Sequence, residues 1–283
     1  MIQEIIIVAV YSLALGSFIN AWVWRQRQKD VLLESEATTG NNKDITQVNY
    51  SIVHGRSICT SCHHELSMKD LVPVISWILL KGRCRYCNNN ISWQYPVVET
   101  TVMLLGVISF LLWPWELNNI VGYLQVFIWI NIVGVFVALS VYDLKWYLLP
   151  NSMMVSLLIL ALTYQGLRAV EGVGVNDWLF NPLIGGVGAF IFFYILYLFS
   201  RGKWMGGGDV KLALVLGLIL GSAATLVGLF LAFNIAAIAS LIMIAIGVRS
   251  RKDVVPFGPF LMLGAWLALH FSSSLINWYL TIL

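Results

Sequence analysis

Charge is what this sequence has least of. Asp, Glu, Lys and Arg make up 11% of its 283 residues, where a soluble domain carries about a quarter. With 59% hydrophobic residues and a mean hydropathy of +0.81, that scarcity excludes a soluble globular domain and leaves a polytopic membrane protein. Cysteine is scarce too: four residues, all between positions 59 and 87, with none elsewhere to compete for pairing. A cleavable signal is also missing, because the first apolar run follows Glu4 and precedes basic residues, the reverse of a signal peptide. It is expected to be a retained span. The net charge of +3 is small, and no nucleic-acid partner is expected.

What the chain does have is a succession of apolar runs. A hydrocarbon core takes roughly 20 apolar residues per helix, which predicts spans at about 4–24, 96–113, 121–141, 147–167, 182–200 and 255–271. The run from about 210 to 247 is too long for one helix, and Gly221-Ser222-Ala223-Ala224-Thr225 is its natural break. The total is then eight, with six or seven if the break fails. Trp113-Pro114-Trp115-Glu116 reads as an interface turn, and Trp278 and Tyr279 suit the opposite end of the last span. Lys and Arg concentrate in cytoplasmic loops. Eight spans place all 17 of them on one side except Arg168, and a wrong count would scramble that sorting.

The long polar segment from 26 to 95 holds Cys59-Thr60-Ser61-Cys62 and Cys84-Arg85-Tyr86-Cys87. Two residues between thiolates let a tight knuckle present both sulfurs to one tetrahedral ion. Four thiolates leave no open position, so the ion is expected to be a structural zinc; a redox pair is the alternative. His54, His63 and His64 are expected to be solvated rather than ligands. Residues 31–53 are polar and without periodicity, and read as a flexible insert.

Two acids remain where apolar runs meet the cytoplasmic face: Asp143 at the end of span three, and Asp209 at the start of span six behind Gly206-Gly207-Gly208. Two carboxylates that approach closely cannot both ionise cheaply, so one can hold a proton while the other acts as a base. Acids within spans are functional candidates. The glycines would let backbone approach a substrate strand or adopt positive φ. Bland readings stand beside these: an N-cap for Asp209, and an interfacial pair with Lys145 for Asp143. Lys211 and Glu99 lie near the same interface, as topology-setting charges, as an ion pair, or in support of the two acids. Asp177, on the outer side, and Asp253 and Asp70, in polar segments, are control acids.

Six motifs in order carry a resemblance. They are Gly16-Ser17-Phe18-Ile19-Asn20 with Arg25; Arg56 to Cys62; Asp70-Leu71-Val72-Pro73 through Ser76-Trp77 and Gly82 to Cys87, continued by Ile91-Ser92 and Tyr95-Pro96-Val97-Val98-Glu99; Asp143 with Leu148-Leu149-Pro150; Gly206 to Leu212; and Pro256-Phe257-Gly258-Pro259-Phe260. Together they resemble the bifunctional prepilin peptidases (type IV leader peptidases and N-methyltransferases), within the wider group of GxGD intramembrane aspartyl proteases. Thr60 stands where a proline is usual, Asn151 stands where an acid is common, and the 31–53 insert has no counterpart.

The resemblance implies an all-α membrane protein: a first helix over 1–25, a cytoplasmic tetra-cysteine zinc domain over 26–95, and a seven-helix aspartyl protease domain over 96–283. It implies that Asp143 and Asp209 cut a prepilin or pseudopilin precursor after a glycine, at the cytoplasmic face of a bacterial inner membrane. It also implies methylation of the new N-terminus from S-adenosylmethionine, although the polar segment has no dinucleotide-type glycine fingerprint to place that cofactor. Two alternatives differ in class. A proton-coupled transporter would want acids near mid-membrane and a polar path, for which only Asn131 and Asn234 offer themselves. A zinc-ribbon docking protein on a membrane anchor would do no chemistry.

Overall fold

The computed structural model describes residues 1–39, 56–203, 205–250 and 253–282. Among them are nine α-helices: α1 (Ile2–Thr39), α2 (Ile75–Leu79), α3 (Gln94–Leu111), α4 (Ile120–Trp146), α5 (Asn151–Val170), α6 (Asn181–Ser200), α7 (Gly207–Leu220), α8 (Ser222–Ala245) and α9 (Gly258–Ile282). Pairing among the described residues is confined to two isolated bridges. All but α2 and α7 are long and apolar enough to cross a membrane, so the chain is a multi-pass membrane protein. Seven candidate spans thus stand against the eight expected, because α7, expected as a span, has only 14 residues. Contacts divide the chain into two units, Met1–Ile108 and Ser109–Leu283.

The expected flexible insert is partly helical. α1 runs past the expected span end at position 24 to Thr39. Residues 26–39 contain no Gly or Pro to stop it, and Gln26 Nε2 donates to Asp30 Oδ1 at 2.9 Å across one turn. The remainder of the insert, with His54, lies outside the described residues.

In the second unit α4 is the central helix, with Trp129, Ile132, Leu139 and Tyr142 all fully buried. It packs on α5 and α9, while α7 packs on α5, α6, α8 and α9. The break at Gly221 is real. Its φ of +80° and ψ of 172° suit only glycine, and Asn181 Oδ1 caps the restart by accepting from Ser222 N at 2.8 Å. α7 has 14 residues, about 21 Å of helix against a hydrocarbon core of about 30 Å. Its last carbonyls would therefore face an apolar medium unsatisfied. Buried Gln165 of α5 meets them, donating Nε2 to Leu218 O at 2.7 Å and Ile219 O at 3.1 Å.

Small residues let helices approach closely in the absence of a hydrophobic drive between them. A Cβ on Gly217 would lie 2.5 Å from the Gly185 backbone, and Gly264 of α9 abuts Gly228 of α8. The bundle exterior is apolar, with Phe199, Leu226, Phe230 and Leu241 all exposed, as a lipid-facing surface requires. At the end of the bundle away from the two acids, Ser109 Oγ accepts from Trp129 Nε1 at 3.1 Å and Trp266 Nε1 at 2.8 Å. Indoles only donate, so the serine hydrogen goes to His270 Nε2 at 3.3 Å, and Nδ1–H donates to Leu112 O at 3.2 Å.

Candidate active site and metal centre

Asp143 lies in the last turn of α4, inside the helix rather than beyond it. Its own carbonyl accepts from Tyr147 N at 2.8 Å, where the chain turns left-handed at φ +56° to end the helix. Asp209 is the third residue of α7, behind Gly206 at the N-cap, so it is not itself the N-cap. Its carboxylate folds back onto the Gly206 amide, half of a capping box. Both acids are buried, with exposures of 7% and 9%.

The two carboxylates are close enough for the charge of Asp209 to act on Asp143. Neither forms an ion pair among the described residues. Lys145 instead lies 5.6 Å from the centroid of the Trp146 ring, as expected for a side chain two residues from Asp143 and off its face. Oδ2 of Asp143 is enclosed and accepts no hydrogen bond, while the Gly258 amide lies beside the carboxylate. A buried carboxylate oxygen without a partner is costly and calls for a role. Two acids held together, without a cation and largely out of water, can divide acid and base work between them.

The surroundings come from three helix ends. Leu149, in the turn before α5, is met by Gly208, where a Cβ would lie 3.0 Å from Leu149 Cβ, while Gly207 faces open space. None of the three glycines has positive φ. Lys211 Nζ donates to Asn151 Oδ1 at 3.0 Å, joining the starts of α7 and α5 rather than pairing with an acid. Gly258, the first residue of α9, is the position that residue-by-residue reading missed. A Cβ there would lie 2.7 Å from Asp143 Oδ2, and only its place in the Pro256–Phe260 motif hinted at it.

The control acids lie apart. Asp177 is in the turn before α6, where its N–H donates to Gly174 O at 2.8 Å. Asp253 Oδ2 accepts from Ser250 N at 2.7 Å. Asn131 and Asn234 donate to their own helices, at Phe127 O and Phe230 O.

In the first unit the four sulfurs of Cys59, Cys62, Cys84 and Cys87 lie within 4.8 Å of one another, and none is in a disulfide. Cys59 and Cys87 Sγ are 3.9 Å apart, close to the edge of about 3.8 Å that tetrahedral zinc–thiolate bonds of about 2.3 Å require. The two knuckles are the same structure twice. Cys59 N donates to His64 O and Cys84 N to Asn89 O, each at 2.9 Å. Ile58 bridges Glu65 as Arg83 bridges Asn90. The residue after each second cysteine, His63 or Asn88, is left-handed at φ +56° or +58°, a conformation for which Asn and His are enriched. His63 thus closes a turn, and His64 stacks on Tyr86 at 3.8 Å; neither belongs to the sulfur cluster.

Asp70 clamps the second knuckle. It accepts from Arg85 Nε at 2.7 Å, Tyr86 Oη at 3.0 Å and Ser67 Oγ at 2.8 Å. Burial alone would push its carboxyl up, but these donors outweigh that and hold it down at about 2. Buried Glu99, within α3, accepts from Val74 N at 2.7 Å. That bond holds a β-branched residue at φ +61°, a true outlier for its type.

Buried acids at the ends of two apolar helices, in a chain that also carries a four-cysteine cluster, are what a membrane peptidase would have. The comparisons with known proteins narrow it. The Bacterial Peptidase A24 N-terminal domain matches residues 10–113, and the Type IV leader peptidase family matches residues 129–242. A protein of Aeromonas salmonicida (strain A449) named prepilin leader peptidase/N-methyltransferase is 30% identical, over 97% of this chain and 93% of its own. Proteins of the same name from Pseudomonas aeruginosa and Vibrio cholerae are 28% and 32% identical, covering 95% and 77% of this chain and 90% and 78% of theirs. No solved structure matches. The chain belongs to the type IV leader peptidase family.

Proposed function

We propose that the chain is an aspartyl endopeptidase that removes the short basic leader of type IV prepilin or pseudopilin precursors, after a glycine, at the cytoplasmic face of a bacterial inner membrane. One observation carries the reading: Asp143 and Asp209, at the ends of two helices that both come up to Leu149, are buried and in no ion pair among the described residues. One carboxylate takes a proton from water as the water oxygen attacks the scissile carbonyl carbon. The other, protonated, donates to the carbonyl oxygen. The tetrahedral diol then collapses: one hydroxyl returns its proton to the second carboxylate as the carbonyl re-forms, the C–N bond breaks, and the amine leaves with the proton the base had taken. Gly206, Gly207 and Gly208 form the approach for the substrate strand, with Gly207 the open position, and Lys211 orders it through Asn151. Glu99 acts within the first unit, where it holds Val74 N.

The functional division follows: 1–25 as the first span, 26–95 as the zinc domain and 96–283 as the protease domain. Cys59, Cys62, Cys84 and Cys87 would hold a structural zinc, which supplies folding energy rather than chemistry. Methylation of the new N-terminus from S-adenosylmethionine is part of the reading on the relatives' names. The test is to incubate the membrane-embedded protein with a prepilin and read the product mass. Loss of a leader is expected, with an added methyl marking the second activity; an intact precursor overturns the reading.

A further inference from the structure

α2 is a five-residue helix with an unpartnered apolar face. Ile75, Ile78 and Leu79, at i, i+3 and i+4, are 57%, 60% and 75% exposed. Its depth is set by one bond. Val74, its N-cap, donates N–H to Glu99 Oε2 at 2.7 Å. Glu99 lies five residues into α3 after Gln94, about 7.5 Å along the axis. α3 has 18 residues, about 27 Å of helix, which is barely enough for a hydrocarbon core of about 30 Å. Gln94 must therefore sit at the edge of that core, with Glu99 inside it and α2 at the level of the headgroups.

The charge around α2 agrees. Between Asp70 and Glu99 there is no acid, and there are three cations, Lys81, Arg83 and Arg85. Arg85 is committed to Asp70. Lys81 and Arg83 are exposed, have no acid partner among the described residues, and share a cleft of about 510 Å³ directly after α2. An apolar helical face bordered by cations is the pattern of an interfacial helix on an anionic leaflet.

We propose that α2 and the loop after it form a bilayer-docking surface, with Ile75, Ile78 and Leu79 among the outer acyl carbons and Lys81 and Arg83 on the phosphates of anionic phospholipids. A protein partner on this face would have to displace lipid at a depth that Glu99 fixes. The inference rests on α3 crossing the membrane, and stands whether or not the peptidase reading does.

The test places a photoreactive benzoylphenylalanine at position 78, and separately at 79, in the full-length protein in nanodiscs of phosphatidylcholine and phosphatidylglycerol at a ratio of about 3:1. Both positions are exposed, so the pair guards against failure of either variant to fold; exposed Asn89, in the second knuckle, serves as the control position. Irradiation is expected to add a phospholipid mass at 78 and 79 and not at 89. The odds of a phosphatidylglycerol adduct should rise at least about fivefold over its share of the disc, and the excess should be lost in the combined Lys81→Glu and Arg83→Glu variant. Cross-links to peptide, whether within the chain or to a second copy or precursor, overturn the proposal. So do adducts in the bulk lipid ratio, or no lipid adduct at either position.

Discussion

An alanine at position 258 would put its Cβ 2.7 Å from Oδ2 of Asp143, well inside contact distance, so the carboxylate has to move. A displacement of about 1 Å in a reacting group can cost about 100-fold in rate. Gly258→Ala is therefore expected to lower cleavage at least about tenfold while the protein stays embedded and keeps its metal. A single-turnover assay on one precursor reads the effect, and an unchanged rate would mean that the carboxylate is not held where the structure has it. Asp143 and Asp209 stood out in the sequence as candidates because each lies where an apolar run ends or begins. Gly258 and Leu149 were not, because their importance arises only when α9 and the turn before α5 come together around Asp143. The left-handed turns at His63 and Asn88 were legible in principle, as the same position after two C-x-x-C pairs. Weighing the histidine only as solvated or as a ligand left its role in the backbone unseen.

At the scale of elements, α7 is short because two devices end it, Gly221 from within and Gln165 from a neighbouring helix. Gln165→Leu keeps the size and removes the donor, leaving the carbonyls of Leu218 and Ile219 buried without a partner. That is expected to cost about 1–3 kcal/mol, read as a lower unfolding midpoint in detergent together with faster amide exchange at the end of α7. Midpoint and exchange that both stay put would show that water or lipid headgroups reach those carbonyls. The glycine break was visible from length and composition alone. The glutamine was not, since nothing local to α5 marks it as serving another helix. The overrun of α1 beyond position 24 was missed for a different reason: hydropathy finds where a span leaves lipid, whereas the backbone stops only at a residue that disfavours helix. The other end of the chain repeats the lesson, with α9 running on to Ile282 past the expected end near 271.

For the whole molecule, the two units of the fold use different sources of stability. Residues 109–283 rest on close helix packing around α4, which needs no ligand. Among the described residues the knuckles of the first unit have two bridges and few buried side chains, Cys84 among them, a small core of the kind that a metal held by the four cysteines would complete. Treating the full-length protein with a zinc chelator is expected to release exchange protection across residues 56–92 and make all four thiols reactive, while α4 through α9 keep their protection. Thiols that stay unreactive under chelation would mean that the cluster is held by packing alone. The spans were legible from the lengths of the apolar runs, which the helices long enough to cross a membrane follow. How contacts group the helices was not, since lipid-facing and protein-facing apolar residues look alike in sequence.

Cleavage of a precursor by the Asp143→Asn and Asp209→Asn variants tests the central claim most directly. Each is made in the full-length protein, shown to insert, and compared with Asp177→Asn. Loss of product in both, with Asp177→Asn as active as the parent, is the result expected of a shared pair of acids. Normal cleavage by either of the first two would mean that the peptide bond is broken by something else.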